Sequence, residues 1–228
     1  MKTKKLVKNH RHTQQDLSPL PKTFYTDLPT QISSLFPQID PSKAELVGKY
    51  VGLDCEFVGI GHQGQDHALA RVSIVNFHGK ILLDSYVKPK EKIIDYRTAI
   101  SGITFEHIKN APSLAEVQEK VCEIIQGRIV VGHDLKHDFK ALVLNHPRRD
   151  LRDTAVYAKF RSLVQGKAPS LKMLADQYFG LEEFQKTVHS SVQDAQVAML
   201  IYRKFRDEWE ASFSKKKGSS VLKEQEDN

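Results

Sequence analysis

Three β-type runs follow one another closely in the first half of the sequence, before any long helical pattern begins. They extend from Tyr50 to Val58, from Ala68 to Phe77 and from Ile81 to Val87. His78-Gly79 predicts a tight hairpin between the second and the third run. Because short connections join neighbouring antiparallel strands, the three runs predict an antiparallel meander.

From Ser113 onward, helical periods alternate with short apolar runs. A helix that ends at Gly127 precedes a short buried strand from Arg128 to Gly132, and a second helix follows from Leu135 to Leu144. The later elements are a last short strand at 151–154 and helices at 170–179 and 191–209. Strands first, then alternating helices and strands, predict an α/β domain with a mixed five-stranded sheet flanked by helices on both faces.

The two ends of the chain differ in composition from the region between them. Residues 1–44 carry seven Lys/Arg against three Asp/Glu, together with five prolines and no sustained apolar period. We therefore predict a domain at 45–210 between a largely disordered, basic N-terminal tail and a charged, disordered C-terminal tail at 211–228. Short apolar pieces of the N-terminal tail, such as Ile32 to Phe36, could still dock on the domain.

The charge of the chain is unevenly distributed. The formal net charge is +6, but residues 136–172 alone carry nine Lys/Arg against three acids. Such a stretch beside an acidic cluster suits a polyanion held over cations, and a solvated charged surface is the alternative. No apolar run approaches the roughly 18 residues of a membrane span. Cys55 and Cys122 are expected to be reduced, buried residues of an intracellular protein.

Asp54-Cys55-Glu56 lies in the first predicted strand. Side chains two residues apart in a strand point to the same face, so Asp54 and Glu56 project together while Cys55 points the other way. Two carboxylates on a buried strand repel each other and are costly to desolvate, and divalent cations would relieve both penalties. The alternative is an Asp-x-Glu that falls by chance at a solvated strand end.

Further acids lie near two predicted helix starts. Asp134 fits the role of a helix cap, whereas Asp138 lies one turn later, where capping no longer explains it. Asp194 falls in the first turn of the last helix, and His189 lies in the loop before it. A lone loop histidine is most often an ordinary surface residue, so no element predicts a site by itself.

Together these residues form an ordered pattern, in which Asp54-x-Glu56 is followed by Asp138 and then by His189-x4-Asp194. In this pattern the sequence resembles the DEDDh exonuclease superfamily, which has a ribonuclease-H-like fold, and within it the eukaryotic RNA exonuclease 4 family. The resemblance spans about residues 48–207. It extends to Tyr50-Val-Gly-Leu-Asp-Cys-Glu-Phe-Val-Gly59, Leu69-Ala-Arg-Val-Ser73, Asp95-Tyr-Arg-Thr98, Ser101-Gly-Ile-Thr104, Gly132-His133, His137-Asp-Phe-Lys-Ala-Leu142 and Arg152-Asp-Thr154.

The resemblance implies a 3′→5′ exonuclease that uses two divalent cations. Asp54 would bridge both cations, Glu56 and Asp194 would complete the first, and Asp138 would support the second. His189 would be the general base that deprotonates the attacking water, since an unperturbed pKa of about 6.5 suits neutral pH. Ligands that offer only oxygen favour Mg²⁺ or Mn²⁺, and the lack of a closely spaced Cys/His set argues against zinc.

Candidate substrate contacts follow from the same resemblance. Residues 101–107 resemble the family segment that contacts the 3′ nucleotide, and Gly102 would permit close approach of the backbone. Ile103 and Phe105 could pack on a base or sugar, with a place in the core as the alternative. Thr104 belongs to the same candidate set.

Two further groups of candidates lie outside this segment. Phe57 and Phe139 stand beside the catalytic acids, although for both a place in the core is the favoured interpretation. Arg148, Arg149 and Arg152 are candidate contacts to the RNA backbone because they lie in the basic stretch.

The resemblance also implies a substrate and a cellular setting. It points to single-stranded RNA, to release of nucleoside monophosphates, and to processing of ribosomal RNA precursors in the nucleus or nucleolus by a protein that we expect to be a monomer. A DNA-trimming exonuclease or an oligoribonuclease of the same fold remains an alternative, because a 2′-hydroxyl contact cannot be read from sequence. A non-catalytic RNA-binding module is a third interpretation, which the presence of all five reactive residues disfavours.

Overall fold

The computed structural model describes residues 28–38, 40 and 46–226, and its centre is a mixed five-stranded sheet. The strands are β1 (Tyr50–Ile60), β2 (Asp66–Asn76), β3 (Ile81–Tyr86), β4 (Ile129–Gly132) and β5 (Leu151–Asp153). Their order in the sheet is β3-β2-β1-β4-β5. β1 pairs antiparallel with β2 and parallel with β4, and β4 pairs parallel with β5. The predicted meander and the mixed sheet are confirmed.

Helices connect and cover these strands. They are α1 (Leu28–Ser34), α2 (Thr98–Ser101), α3 (Phe105–Ile108), α4 (Leu114–Ile125), α5 (Leu135–Ala141), α6 (Ala158–Ser162), α7 (Leu171–Phe179) and α8 (Ser191–Glu226). The sequence predicted the three longest, α4, α7 and α8, together with α5. α1, α2, α3 and α6 were not predicted, because helices of only one or two turns rarely show a clear apolar period.

The two faces of the sheet bury separate cores. Val51, Leu53 and Cys55 of β1 pack with residues of α4 and α5 on one face. On the other face, Val75 and Val131 pack with residues of α1, α7 and α8. Helices therefore flank the sheet on both faces, as predicted, and the alternate side chains of β1 point toward α8.

A close approach between β1 and α8 sets the position of the last helix. A Cβ at Gly52 would lie 2.9 Å from the carbonyl oxygen of Ala195, so glycine leaves just enough room for the helix backbone. Ala195 is itself fully buried and presents only a methyl group to its surroundings. The beginning of α8 therefore lies directly over β1.

Three details differ from the sequence predictions. α8 continues to Glu226, whereas the apolar pattern ended it near Trp209. Within the predicted N-terminal tail, residues 28–34 form a helix that was not predicted, while the burial of Ile32 and Phe36 against the domain is the docking that the sequence left open. Cys55 is buried as expected, but Cys122 is exposed because it lies on the solvent side of α4. The other residues of the N-terminal tail lie outside the described residues.

None of the helices among the described residues has the length and hydropathy that a bilayer crossing requires.

Candidate active site

Two carboxylates of the central strand project toward the start of α8. Asp54 and Glu56 both lie in β1, and the register of β1 against β2 shifts immediately after Glu56. Glu56 is buried, while Asp54 is partly exposed. Cys55, between them, belongs to the core on the opposite face, as the alternation of a strand requires.

Asp194 in the first turn of α8 joins the two strand acids. Each of Asp54, Glu56 and Asp194 offers a carboxylate oxygen that lies within 4.8 Å of those of the other two. Asp194 is buried, and its backbone N–H donates to the carbonyl of Ser190. The close packing of α8 on Gly52 thus brings an acid distant in sequence next to β1.

Asp138 approaches the same strand from α5. It is buried, it interacts with the Cys55 thiol, and its charge is one of those that raise the pKa of Asp54. Its oxygens lie outside the group formed by Asp54, Glu56 and Asp194. The structure therefore brings together all four predicted acids, three of them tightly and Asp138 at one side.

Burial and mutual repulsion disfavour the ionised forms of these acids. Burial raises the pKa of Glu56 to about 8 and the pKa of Asp194 to about 7. Burial, followed by the charges of Asp194, Asp138 and Glu56, raises the pKa of Asp54 well above its usual range. Four acids with raised pKa values at one point of the fold form a site in which a positive charge is strongly favoured.

The acids also have unused hydrogen-bonding capacity. Within the part of the chain that the structure describes, one buried oxygen each of Glu56, Asp138 and Asp194 has no hydrogen-bond partner. Buried polar atoms are nearly always satisfied, so three such oxygens at one site call for a missing partner. Hard divalent cations such as Mg²⁺ and Mn²⁺ take carboxylate oxygens as ligands, and these residues fit them.

His189 lies beside this acidic site, in the loop that precedes α8. Its Nδ1 is 3.9 Å from Oδ2 of Asp194, and its side chain is partly exposed. The backbone N–H of His189 donates to the carbonyl of Ile100 at 2.7 Å, which ties the loop to α2. Burial and the charge of Lys172 lower the pKa of His189, so its imidazole is neutral at pH 7.

Three residues that sequence reasoning missed hold the acids in place. The side-chain amide of Gln185 donates to Oδ2 of Asp194 at 2.8 Å, from a backbone with a positive φ of 53°. The backbone N–H of Ser191 hydrogen bonds to Glu56, and the charge of Arg71 also favours the ionised form of Glu56. Arg71 and Ser191 lay in or beside quoted motifs, but no local pattern identified Gln185.

The start of α5 is capped differently from the prediction. Asp134 occupies the N-cap position with a left-handed backbone and makes no capping hydrogen bond. Its carboxylate interacts with His137 of the same helix instead. Asp153, at the end of β5, accepts the backbone N–H groups of Asp134 and Leu135. The prediction of Asp134 as the cap was wrong, because the cap comes from a neighbouring strand.

The candidate contacts to the 3′ nucleotide occupy different environments. Ile103 is buried in a small core with Val58, whereas Phe105 is 59% exposed. Thr104 is the N-cap residue before α3 and caps the helix together with His107. These positions favour the core alternative for Ile103 and leave the ring of Phe105 accessible.

Gly102 brings two loops of the site together. It has a φ of +67°, and a Cβ there would lie 2.8 Å from a methyl group of Val188. Glycine is therefore required for the close approach of this segment to the loop that carries His189.

The two phenylalanines beside the acids both contribute to a core. Phe139 is buried and Phe57 is partly buried, and both pack in the cluster that contains Cys55. Phe57 also meets the ring of His67 edge-on, with centroids 6.2 Å apart. Their packing agrees with the favoured core interpretation.

The three arginines proposed as backbone contacts differ sharply in exposure. Arg148 and Arg149 are exposed. Arg152 is buried, and its guanidinium donates to both carboxylate oxygens of Glu210, at 2.6 and 2.7 Å. Its remaining Nη1 donates to backbone carbonyls. Arg152 therefore has a structural role, and its assignment as an RNA contact is corrected.

The fold and the site can be compared with known proteins. The RNase_T family model, described as an exonuclease, matches residues 51–202. RNA exonuclease 4 of Saccharomyces cerevisiae is 49% identical over 174 residues, which cover 76% of this chain and 60% of the relative. RNA exonuclease 4 of Candida glabrata is 44% identical over 194 residues, which cover 84% of this chain and 73% of the relative. The chain spans about half to three quarters of the length of such relatives.

Solved structures give the same picture. The Pan2 pseudoubiquitin hydrolase–RNA exonuclease module of Saccharomyces cerevisiae in complex with AAGGAA RNA superposes with a TM-score of 0.63 at 31% sequence identity. The match covers 83% of this chain and 34% of that one. The Pan2 catalytic unit of Neurospora crassa matches with a TM-score of 0.61 at 28% identity, covering 84% of this chain and 34% of that one.

Proposed function

Because the chain belongs to the RNase_T exonuclease family, with a family match over residues 51–202, we propose that it is a metal-dependent 3′→5′ exoribonuclease. The observation that carries this proposal is the convergence of Asp54, Glu56 and Asp194, with Asp138 beside them, around buried oxygens that have no partner among the described residues. Relatives named RNA exonuclease 4, and a Pan2 module solved with RNA, support RNA as the substrate.

Two divalent cations, Mg²⁺ or Mn²⁺, complete the proposed site. Asp54 would hold both cations, with Glu56 and Asp194 on the first and Asp138 on the second. When bound, the cations neutralise charge on the phosphate and lower the pKa of a bound water. The buried, mutually repelling carboxylates supply the negative charge that retains them, and Gln185 fixes the orientation of Asp194.

His189 is the proposed general base. Its imidazole is neutral at pH 7, because burial and Lys172 lower its pKa, so it can accept a proton from the attacking water. The water oxygen bonds to phosphorus, and the bond from phosphorus to the 3′ oxygen of the preceding nucleotide breaks. That oxygen takes up a proton from solvent, and a nucleoside 5′-monophosphate leaves. The hydrogen bond from the His189 backbone to Ile100 keeps the loop beside the acids.

We further propose that the natural substrates are ribosomal RNA precursors, in the nucleus or nucleolus, and that the protein acts as a monomer. The resemblance to the RNA exonuclease 4 family and the basic composition of residues 1–44 support the cellular setting. Tagged protein should concentrate in nucleoli, and its depletion should lengthen the 3′ ends of precursor ribosomal RNA. Unchanged precursors in depleted cells would refute this role.

The activity is tested with purified protein and 5′-labelled single-stranded RNA. In Mg²⁺ or Mn²⁺ the label should pass through a ladder of products shortened from the 3′ end, and chelation should stop the reaction. Parallel assays with single-stranded DNA and with RNAs of a few nucleotides separate the two rival enzymes. A protein that binds RNA without shortening it would instead be a non-catalytic module.

A further inference from the structure

A groove of about 1010 Å³ runs along the free edge of β5, outside the catalytic site. α5 forms one wall, and α6 with the part of α8 around Trp209 forms the other. Asp54, Glu56, Asp138, His189 and Asp194 are not among the described residues that line it. The proposed reaction leaves the groove without a role.

Three basic side chains of the groove have no partner among the described residues. Lys136, Lys140 and Arg148 line it and are exposed, and their charged side-chain groups have no hydrogen bond or ion pair with any described residue. The acids of the groove are already engaged, since Asp153 accepts backbone N–H groups and Glu208 pairs with Lys159. A polyanion would therefore meet uncompensated positive charge along this edge.

Flat aromatic rings accompany these cations. Tyr157 stacks on the buried Trp209, with centroids 3.9 Å apart and an angle of 11° between the planes. His146 stacks on Phe139 at 5.8 Å and 14°. Tyr157 and His146 are both partly exposed and both line the groove. Grooves that bind single-stranded nucleic acids combine a positive track with aromatic rings on which bases stack.

α5 lies between the groove and the catalytic site and contributes residues to both. Lys136 and Lys140 stand two residues before and two residues after Asp138, or about 3 Å along the helix axis. Asp138 points inward to the acids, while both lysines are exposed and line the groove. A strand that ends at the acids can therefore cross α5 and continue along β5.

We propose that this groove binds the upstream, 5′ portion of a single-stranded RNA whose 3′ end occupies the catalytic site. The inference rests on the proposed exoribonuclease function and adds that longer strands are held at a second, distinct surface. With RNA in the groove, binding strength depends on the length of the RNA, whereas hydrolysis at the acids does not require the groove.

Two other occupants fit the groove less well. An added β-strand would need free carbonyl groups at the edge of β5, but Arg152 already donates to the carbonyl of Leu151 at 2.9 Å. Residues 1–27 carry six Lys/Arg against two Asp, the same sign of charge as the groove. RNA offers both the opposite charge and stacking bases.

The test compares Lys140→Ala/Arg148→Ala with the wild type on two RNAs. One RNA has about 20 nucleotides, which is longer than the roughly 4–16 nucleotides that a single-strand-binding OB-fold domain covers. The other RNA is a trinucleotide. The variant should raise KM for the long RNA at least about ten-fold and lower the slope of log affinity against log salt by about 1.4. Its kcat and its activity on the trinucleotide should be unchanged.

A control of equal charge change is Lys120→Ala/Lys204→Ala, two exposed lysines that do not line the groove. It should behave as the wild type on both RNAs. Equal loss of long-RNA affinity in both variants would overturn the proposal, and so would wild-type affinity in the groove variant. If the wild type cleaves neither RNA, the proposed function fails instead. In that case the slope of log affinity against log salt still tests whether the groove binds RNA.

Discussion

Asp54 holds the central position among the residues of the site, because the charges of all three other acids raise the pKa of its carboxyl group. An asparagine has nearly the same shape but lacks the charge that would hold cations. Asp54→Asn should therefore lower the single-turnover rate of RNA hydrolysis by at least about 100-fold while the protein stays folded. Asp207→Asn, at an exposed position of α8, is the matched control. Cleavage at the wild-type rate by the Asp54 variant would show that the metal assignment is wrong.

The acids of the site should also make stability depend on pH. The pKa of Glu56 is about 8 and that of Asp194 about 7 in the folded protein, whereas unfolded carboxyl groups titrate near about 4. Between these values the folded state binds more protons than the unfolded state, so the free energy of unfolding falls as pH rises from about 4 to about 8.

Mg²⁺ should reverse this trend, since cations replace the protons. Thermal unfolding in a chelator should show the melting temperature falling from pH 5 to pH 8, and the stabilisation by Mg²⁺ should grow over the same range. A Mg²⁺ effect that is independent of pH would contradict the proposed role of these acids. Asp54→Asn should weaken the effect of Mg²⁺ at every pH.

Individual site residues could be predicted from the sequence where the residue type at that position had few structural explanations. The pattern of five reactive residues identified Asp54, Glu56, Asp138, His189 and Asp194, and the structure brings them together. Gln185 and Asp153 could not be predicted, because a hydrogen bond between distant segments leaves no local trace. The misassignment of Arg152 has the same cause, since its partner Glu210 is far away in the sequence.

At the scale of elements, the site depends on how closely α8 approaches β1. A Cβ at Gly52 would meet both the carbonyl oxygen of Ala195 and a methyl group of Val75 at 2.9 Å. Gly52→Ala should therefore push the start of α8 outward and destabilise the fold by about 1–3 kcal/mol. Because Asp194 moves with the helix, affinity for Mg²⁺ should fall as well.

Urea unfolding and calorimetric titration with Mg²⁺ measure the two effects of Gly52→Ala. Wild-type stability in this variant would show that the helix and the strand have more room than their contacts indicate. A loss of stability without a loss of Mg²⁺ affinity would separate the packing of α8 from the position of Asp194.

The longer elements could be predicted because burial imposes a period on them, as in the apolar stripe of α4 with its Ser113 cap. The short helices α2 and α3 escaped prediction for a physical reason. They are held by contacts with distant segments, such as the hydrogen bond from the backbone N–H of His189 to the carbonyl of Ile100 in α2 and the packing of Ile108 of α3 against Val58, rather than by their own periodicity. The extension of α8 beyond Trp209 lacks the apolar stripe that would have predicted it.

For the molecule as a whole, a partly buried ion pair joins the edge of the sheet to the last helix. Arg152 in β5 pairs with Glu210 in α8, and the hydroxyl of Tyr202 also donates to Glu210. Because Glu210 is about one third exposed, losing this interaction should cost only about 2 kcal/mol. Arg152→Ala should lower stability in urea by this amount and leave the salt dependence of RNA binding unchanged. A weaker salt dependence of RNA binding in this variant would show that Arg152 contacts RNA after all.

The central claim is that the carboxylates of Asp54, Glu56, Asp138 and Asp194 jointly hold divalent cations for RNA hydrolysis. A crystal structure of the protein soaked with Mn²⁺ and a nucleoside monophosphate tests this claim most directly. We predict two anomalous peaks, both contacted by Asp54, with the phosphate against them and His189 alongside. Manganese bound elsewhere, or no manganese between β1 and α8, would contradict the account.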